Sequence, residues 1–159
     1  SAGRLLILDI GGGSMEIVLG RDAEPELAMS LPLGAGRLTR LFLPDDPPSR
    51  DQLAALRRHV NGTLREVADR LLWEGVPERA VGTSKTFKQL ARLCGAPAQR
   101  KGPFVPRSVT ARDLEAWIPR LATLRVRDRE KLKGVSRSRS RQIVAGCVVF
   151  YLRRSSGVH

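Results

Sequence analysis

Asp9 and Glu16 stand on either side of four small residues, Gly11, Gly12, Gly13 and Ser14, and that spacing describes a phosphate chemistry. Three consecutive glycines remove every Cβ from a bend, so the backbone can take φ > 0 and a ligand can approach its N–H groups closely. Such a nest suits an anion. Two carboxylates beside it would repel a phosphate unless a divalent cation or a positioned water sits between them. The residues therefore point to phosphate chemistry with a metal such as Mg²⁺. A glycine-rich hairpin can also be only a turn, so the rest of the chain has to support the site.

The elements that would position these residues follow from periodicity and caps. LLILDI before the glycines and MEIVLG after them read as two strands, and Leu27 to Leu31 reads as a third, after a polar turn over Arg21 to Pro25. Gly34 through Leu43 reads as a short helix ended by PDDPP. Ser49 and Gln52 form an S-x-x-Q capping box. The long helix they open carries Leu53, Leu56, Val60, Leu64, Val67 and Leu71 at spacings of three and four, a core stripe. Arg79 to Gly82 reads as a short buried strand, and TSKT at Thr83 to Thr86 caps a helix to about Leu93. Strand, Gly-Thr and helix form a second place where N–H groups face a ligand, so Thr83 is either a binding residue or a plain cap.

Gly95 to Pro106 is a basic Pro/Gly-rich loop, and Arg107 to Val109 could pair as a strand. Thr110 and Asp113 form another capping box, for a helix with Leu114, Trp117, Ile118 and Leu121 that Pro119 should kink. Arg127 to Leu132 reads as a short charged helix stopped by Gly134. SRSRSR, Ser136 to Arg141, then leads into QIVAGCVVFYL, apolar enough for a buried helix.

At 159 residues the chain is expected to form a single domain, residues 1–159, with a real core. It offers no apolar run of transmembrane length and no signal peptide, so a cytoplasmic protein without a membrane partner is expected. Cys94 and Cys147 lack disulfide or metal spacing and read as free, buried thiols. His59 and His159 suggest no His-based site. Residues 1–80 hold 10 Lys and Arg against 12 Asp and Glu, a net of −2, whereas residues 81–159 hold 18 against 4, a net of +14. Basicity confined to one half attracts polyanions, although arginine-rich faces are often merely solvated. Phe87, Phe104, Trp117, Phe150 and Tyr151 are not interleaved with the basic residues as a base-stacking platform would need, which argues against nucleic acid.

DIGGGS with Glu16 resembles the second phosphate motif of the actin, sugar-kinase and heat-shock-chaperone ATPase superfold. More narrowly, DIGGGS-x-E resembles the exopolyphosphatase/guanosine pentaphosphate phosphatase (Ppx/GppA) family, with Met15 where that family usually has Thr. SLPLG at Ser30 to Gly34 with Arg37, Leu38 and Thr39, then Gly82-Thr83, then IVAG at Ile143 to Gly146, follow in the family's order. The resemblance implies an α/β, ribonuclease H-like lobe in which an antiparallel three-strand start is extended by further strands and flanked by helices. It implies a hydrolase that releases terminal phosphate from inorganic polyphosphate or guanosine pentaphosphate. The N–H groups of Gly11 to Ser14 and the Ser14 hydroxyl would then bind the phosphate being cleaved, Asp9 would hold Mg²⁺, and Glu16 would orient the metal or the attacking water. Arg139, ahead of the IVAG-like helix, would counter the charge of the substrate, with Arg137 and Arg141 as alternatives. Thr83 falls at the turn that holds adenosine in the kinase-like members, here without an evident adenine pocket.

The same resemblance identifies the chain with the second, C-terminal lobe of a two-lobe enzyme. The first lobe, with its own D-x-G-S turn, and the glutamate-rich segment that supplies the general base would precede residue 1. Residues 1–159 alone are therefore expected to be inactive. The alternative is a polyphosphate- or alarmone-binding module or pseudoenzyme without turnover. The missing lobe is the expected partner, and a homodimer of the full-length protein remains open.

Overall fold

A computed structural model of the protein describes residues 3–22, 24–74, 79–95 and 109–155. Strands β1 (Leu5–Ile10), β2 (Met15–Arg21) and β3 (Glu24–Leu31) form an antiparallel meander, and β4 (Arg79–Gly82) pairs parallel to β1, giving the order β3-β2-β1-β4. Alternation dictates the two faces of this sheet. Leu6, Leu8, Ile10, Met15, Ile17 and Leu19 point into the core, while Leu5, Ile7, Asp9, Glu16 and Val18 lie half-buried on the other face. The second turn is tighter than expected. Both strands run almost to Asp22, which takes the bend at φ 51, within the reach of a residue type that tolerates left-handed backbone.

Helices α1 (Ala35–Phe42), α2 (Arg50–Glu74), α3 (Lys85–Leu93), α4 (Ala111–Thr123), the single turn α5 (Val126–Arg129) and α6 (Ile143–Ser155) complete the described fold. The Ser49–Gln52 box forms in both directions ahead of α2, and the Thr110–Asp113 box closes the start of α4. Helix α4 runs on through Pro119 to Thr123. The charged helix expected over Arg127 to Leu132 is only the single turn Val126–Arg129, which ends at Glu130 and not at Gly134; Gly134 itself sits at φ 94, where a side chain would be strained. The expected strand over 107–109 lies largely outside the described residues.

Ile143 through Phe150 are all buried, so α6 is apolar on every side and serves as the central post. Helices α1, α2, α3 and α4 all pack against it. Each fully buried Val, Ile or Phe there contributes about 1.5–3 kcal/mol, so α6 is a major part of the core. Its N-terminal end arrives beside the glycine turn, and the core thereby fixes the candidate site. Among the described residues no helix is long and apolar enough to cross a membrane.

Candidate phosphate site at the glycine turn

The turn between β1 and β2 is closed by the Gly11 N–H donating to the Ser14 carbonyl at 2.9 Å. Helix α1 then grips it from beneath. The Ala35 N–H donates to the Gly11 carbonyl and the Arg37 N–H to the Gly12 carbonyl, each at 2.8 Å. These are two of the donors that every helix start leaves without an intrahelical partner, and the N-cap, Gly34, has no side chain to satisfy them.

A trans peptide points its C=O and the following N–H in opposite directions. Committing the Gly11 and Gly12 carbonyls to α1 therefore turns the Gly12 and Gly13 N–H groups away from it. Among the described residues the N–H groups of Gly12, Gly13 and Ser14 have no backbone acceptor. The positive end of α1 polarises these peptides from behind. The result is a small concentration of unpaired donors, suited to an anion.

The reason for the glycines differs from the expected one. None of Gly11, Gly12 and Gly13 takes a left-handed φ; among the described glycines only Gly95 and Gly134 do. Their value lies in open space. A Cβ on Gly12 or Gly13 would meet nothing within 4 Å, so the space beside these two residues is open. Against the turn it is Gly34 that sterics demand, since a Cβ there would fall 2.2 Å from the Gly13 carbonyl carbon and 2.3 Å from the Ser14 nitrogen. It lets the start of α1 touch the turn. Gly34 was visible only as part of the SLPLG string, since the contact that explains it spans 20 residues of sequence.

Asp9 and Glu16 are register partners across β1 and β2 on the half-buried face. Ser30 pairs with Glu16 from β3. On the other side the Thr83 N–H continues the β4 ladder by donating to the Leu8 carbonyl at 3.1 Å, which sets Thr83 beside Asp9 in the continued register. Ser30, Glu16, Asp9 and Thr83 thus form a row across the sheet at the end that carries the turn. Thr83 is exposed and does not cap α3, because the Ser84 hydroxyl takes that role by accepting from the Phe87 N–H at 3.1 Å. The Ser14 hydroxyl donates to Glu16 Oε1 at 2.5 Å, a short contact of the charge-assisted kind. It is directed at the carboxylate and would have to turn to reach a phosphate.

Like charges directly opposite on a strand pair destabilise the sheet. The Asp9–Glu16 pair fits a hard cation that takes one or two carboxylates and completes its shell with water and phosphate oxygens, as Mg²⁺ does. It does not fit a metal caged by protein, since among the described residues no three His, Cys, Asp or Glu side chains converge.

The basic loop, 136–142, reaches the turn through its last residue. Gln142 Nε2 would lie 3.0 Å from a Cβ on Gly36, which in turn would lie 3.1 Å from the Gly12 carbonyl oxygen. Gln142 Oε1 and Thr86 Oγ1 are buried without a hydrogen-bond partner. The three arginines of the loop separate. Arg137 is exposed, and Arg139 is half-buried. Arg141 lines a cavity of about 10 Å³, room for roughly one water, with Asp45, Asp46, Thr39 and Arg129 near the far end of α1.

Two residues that sequence reasoning missed hold this loop. Arg129 is 3% exposed and donates from Nε to the Leu121 carbonyl at 2.9 Å and from Nη1 to the Ser140 carbonyl at 3.1 Å. Burial lowers its pKa from the usual arginine range, with Asp46 opposing and Arg141 adding to the shift. Gln89 on α3 donates to the Ser136 hydroxyl at 2.8 Å. Both cysteines are free, but only Cys147 is buried as expected; Cys94 is half-buried. Burial, aided by Asp113, pushes the Cys94 thiol up to about 11, and burial raises Cys147 further.

A three-strand meander followed by a parallel strand and flanked by helices, with a glycine turn beside two acids, is the α/β lobe architecture expected from the sequence. The model of the Ppx/GppA phosphatase family matches residues 1–152, and the chain belongs to that family. It is 53% identical over 149 residues to exopolyphosphatase 1 of Mycobacterium tuberculosis, a match that covers 94% of this chain and 43% of that protein. A putative exopolyphosphatase of Haemophilus influenzae is 25% identical over 150 residues, covering 92% of this chain and 44% of that protein. The fold matches the crystal structure of the Aquifex aeolicus Ppx/GppA family member with a TM-score of 0.82 at 24% identity, over 99% of this chain and 50% of that one. The chain therefore spans less than half the length of the curated relatives it matches.

Proposed function

We propose that this lobe holds the terminal phosphate of inorganic polyphosphate, or of guanosine pentaphosphate, during phosphoanhydride hydrolysis by an exopolyphosphatase. The observation that carries the reading is the set of unpaired N–H groups at Gly12 to Ser14, backed by the start of α1 and placed beside Asp9 and Glu16. The names of the 50%-identical relatives support the same substrate class.

In this reading the Gly12, Gly13 and Ser14 N–H groups bind the oxygens of the phosphate being cleaved, whereas the Gly11 N–H, expected to join them, is spent on the Ser14 carbonyl; Ser14 turns its hydroxyl from Glu16 to that phosphate. Asp9 and Glu16 would hold Mg²⁺, which when bound neutralises charge developing on the phosphate oxygens. Glu16 also orients the attacking water, and Arg139 offsets the charge of the bound chain. Thr83 contributes a hydroxyl at the rim of the row. The general base is supplied by the other lobe of the whole enzyme. Without a positioned base a factor of about 10²–10⁴ in rate is lost, so residues 1–159 alone bind without appreciable turnover. The same donors and acids would also serve the second reading, a polyphosphate- or alarmone-binding module that never turns over.

The test is calorimetry of the 159-residue chain with polyphosphate at several salt concentrations, together with phosphate release in Mg²⁺. The expected outcome is binding that weakens steeply with salt and phosphate release near background. Absence of binding at low salt contradicts both readings. Robust phosphate release abolished by Glu16→Gln contradicts the need for a second lobe.

A further inference from the structure

We infer that Arg129, outside the candidate site, is a positioning residue that sets the basic loop at the phosphate turn. The inference rests on the anion-binding reading above and extends it to a side chain with no contact to the ligand.

An arginine that is 3% exposed normally has a carboxylate partner for its charge. Among the described residues none lies within ion-pair distance of Arg129. Its planar fork is spent instead on two main-chain carbonyls from different places: Leu121, near the end of α4, and Ser140, inside the arginine loop. Arginine suits this because its donors diverge in a fixed plane, which a lysine ammonium cannot reproduce. The fork ties the loop to a helix that is itself docked on α6.

Ser140 is the junction of the loop. Its hydroxyl donates to the Arg137 carbonyl at 3.0 Å and its N–H to the Ser136 carbonyl at 3.0 Å. The same Ser136 carbonyl accepts from the Arg139 N–H at 3.1 Å, and the Arg139 carbonyl accepts from the Gln142 N–H at 2.9 Å. At the other end the Ser136 hydroxyl is held by Gln89 of α3. Arg139 is thus suspended between two anchors, Arg129 through Ser140 and Gln89 through Ser136. Its backbone cannot shift without breaking one of them. A cation meant for a phosphate is worth most when its position is fixed before the ligand arrives, and the buried fork supplies that fixation.

The experiment is a double-mutant cycle on the 159-residue chain, with polyphosphate of one defined length as titrant. Arg139→Ala and Arg129→Lys are each expected to weaken binding about tenfold and to lower the slope of log affinity against log salt by about one. Together they should weaken it no more than either alone, because one acts through the other. Losses that multiply to about a hundredfold overturn the proposal. Should Arg129→Lys fail to fold, Gln89→Ala releases the opposite anchor without touching a buried charge. It is expected to weaken binding about threefold, and unchanged binding overturns the clamp. If the unaltered chain does not bind polyphosphate, the functional reading fails by itself, and the clamp is still read by amide exchange. Arg129→Lys should speed exchange at Arg139, Ser140 and Gln142 at least tenfold while the middle of α2 is unchanged. Equal protection at those three amides refutes it.

Discussion

The glycine turn and the arginine loop meet at one edge of the fold, and in the proposed reading they would handle negative charge with opposite materials. The turn uses neutral peptide dipoles, in the half of the chain that carries net −2, and its donors are aimed by two 2.8 Å bonds from the start of α1. The loop uses full charges on long side chains, in the half that carries net +14, and its backbone is aimed by a buried guanidinium. Main-chain donors need no rotamer to be fixed, so contact between two backbones suffices. Side-chain cations have several torsions each, and a loop that presents them needs anchors at both ends.

The comparison breaks most visibly at Gly34. Replacing it with Ala puts a methyl group into the turn's own backbone, and overpacking of that kind costs about 3 kcal/mol. Gly34→Ala should lower the thermal midpoint by many degrees and weaken polyphosphate binding with it. A midpoint within a degree or two of the parent would mean that α1 does not press on the turn.

Glu16→Gln sharpens the difference between dipoles and charges. It removes one of two opposed carboxylates, so in metal-free buffer the chain should gain up to about 1 kcal/mol of stability. The dependence of polyphosphate affinity on Mg²⁺ should be lost in the same variant. A destabilised variant that keeps its Mg²⁺ dependence would contradict the placement of a cation between Asp9 and Glu16.

The smallest effect concerns the two thiols, which lie away from both regions. Cys94 holds its proton up to about 11, so between about pH 9 and 11 the unfolded chain ionises there while the folded chain does not. Stability should therefore fall as pH rises through that window, and alkylation of Cys94 at neutral pH should be slow. Fast labelling of Cys94 in the folded chain would refute the half-buried, neutral thiol.

The geometry of the candidate site was legible in the sequence where it is local. Strand alternation places Asp9 and Glu16 on one face, and the apolar spacing of Leu56, Val60 and Leu64 gives α2 its buried side. The capping boxes at Ser49 and Thr110 read correctly because they involve residues three apart. Contacts between distant segments left no such signature. Arg129 looks like any charged residue in VRDRE, and only the approach of α4 and the loop gives it a role. The glycines of the turn show the limit of residue-type reasoning: glycine permits a left-handed backbone, but here it provides empty space above ordinary backbone, and the close approach is made at Gly34.

The most direct test of the anion cradle uses that empty space. Gly12→Ala and Gly13→Ala meet no atom within 4 Å and need no left-handed φ, so each should leave stability unchanged or raise it by about 0.4–1 kcal/mol. The added methyl occupies the approach to the unpaired N–H groups. Titration of polyphosphate into either variant should show affinity at least tenfold weaker with an unchanged or higher thermal midpoint. Affinity equal to that of the unaltered chain would contradict the assignment of the phosphate to this turn.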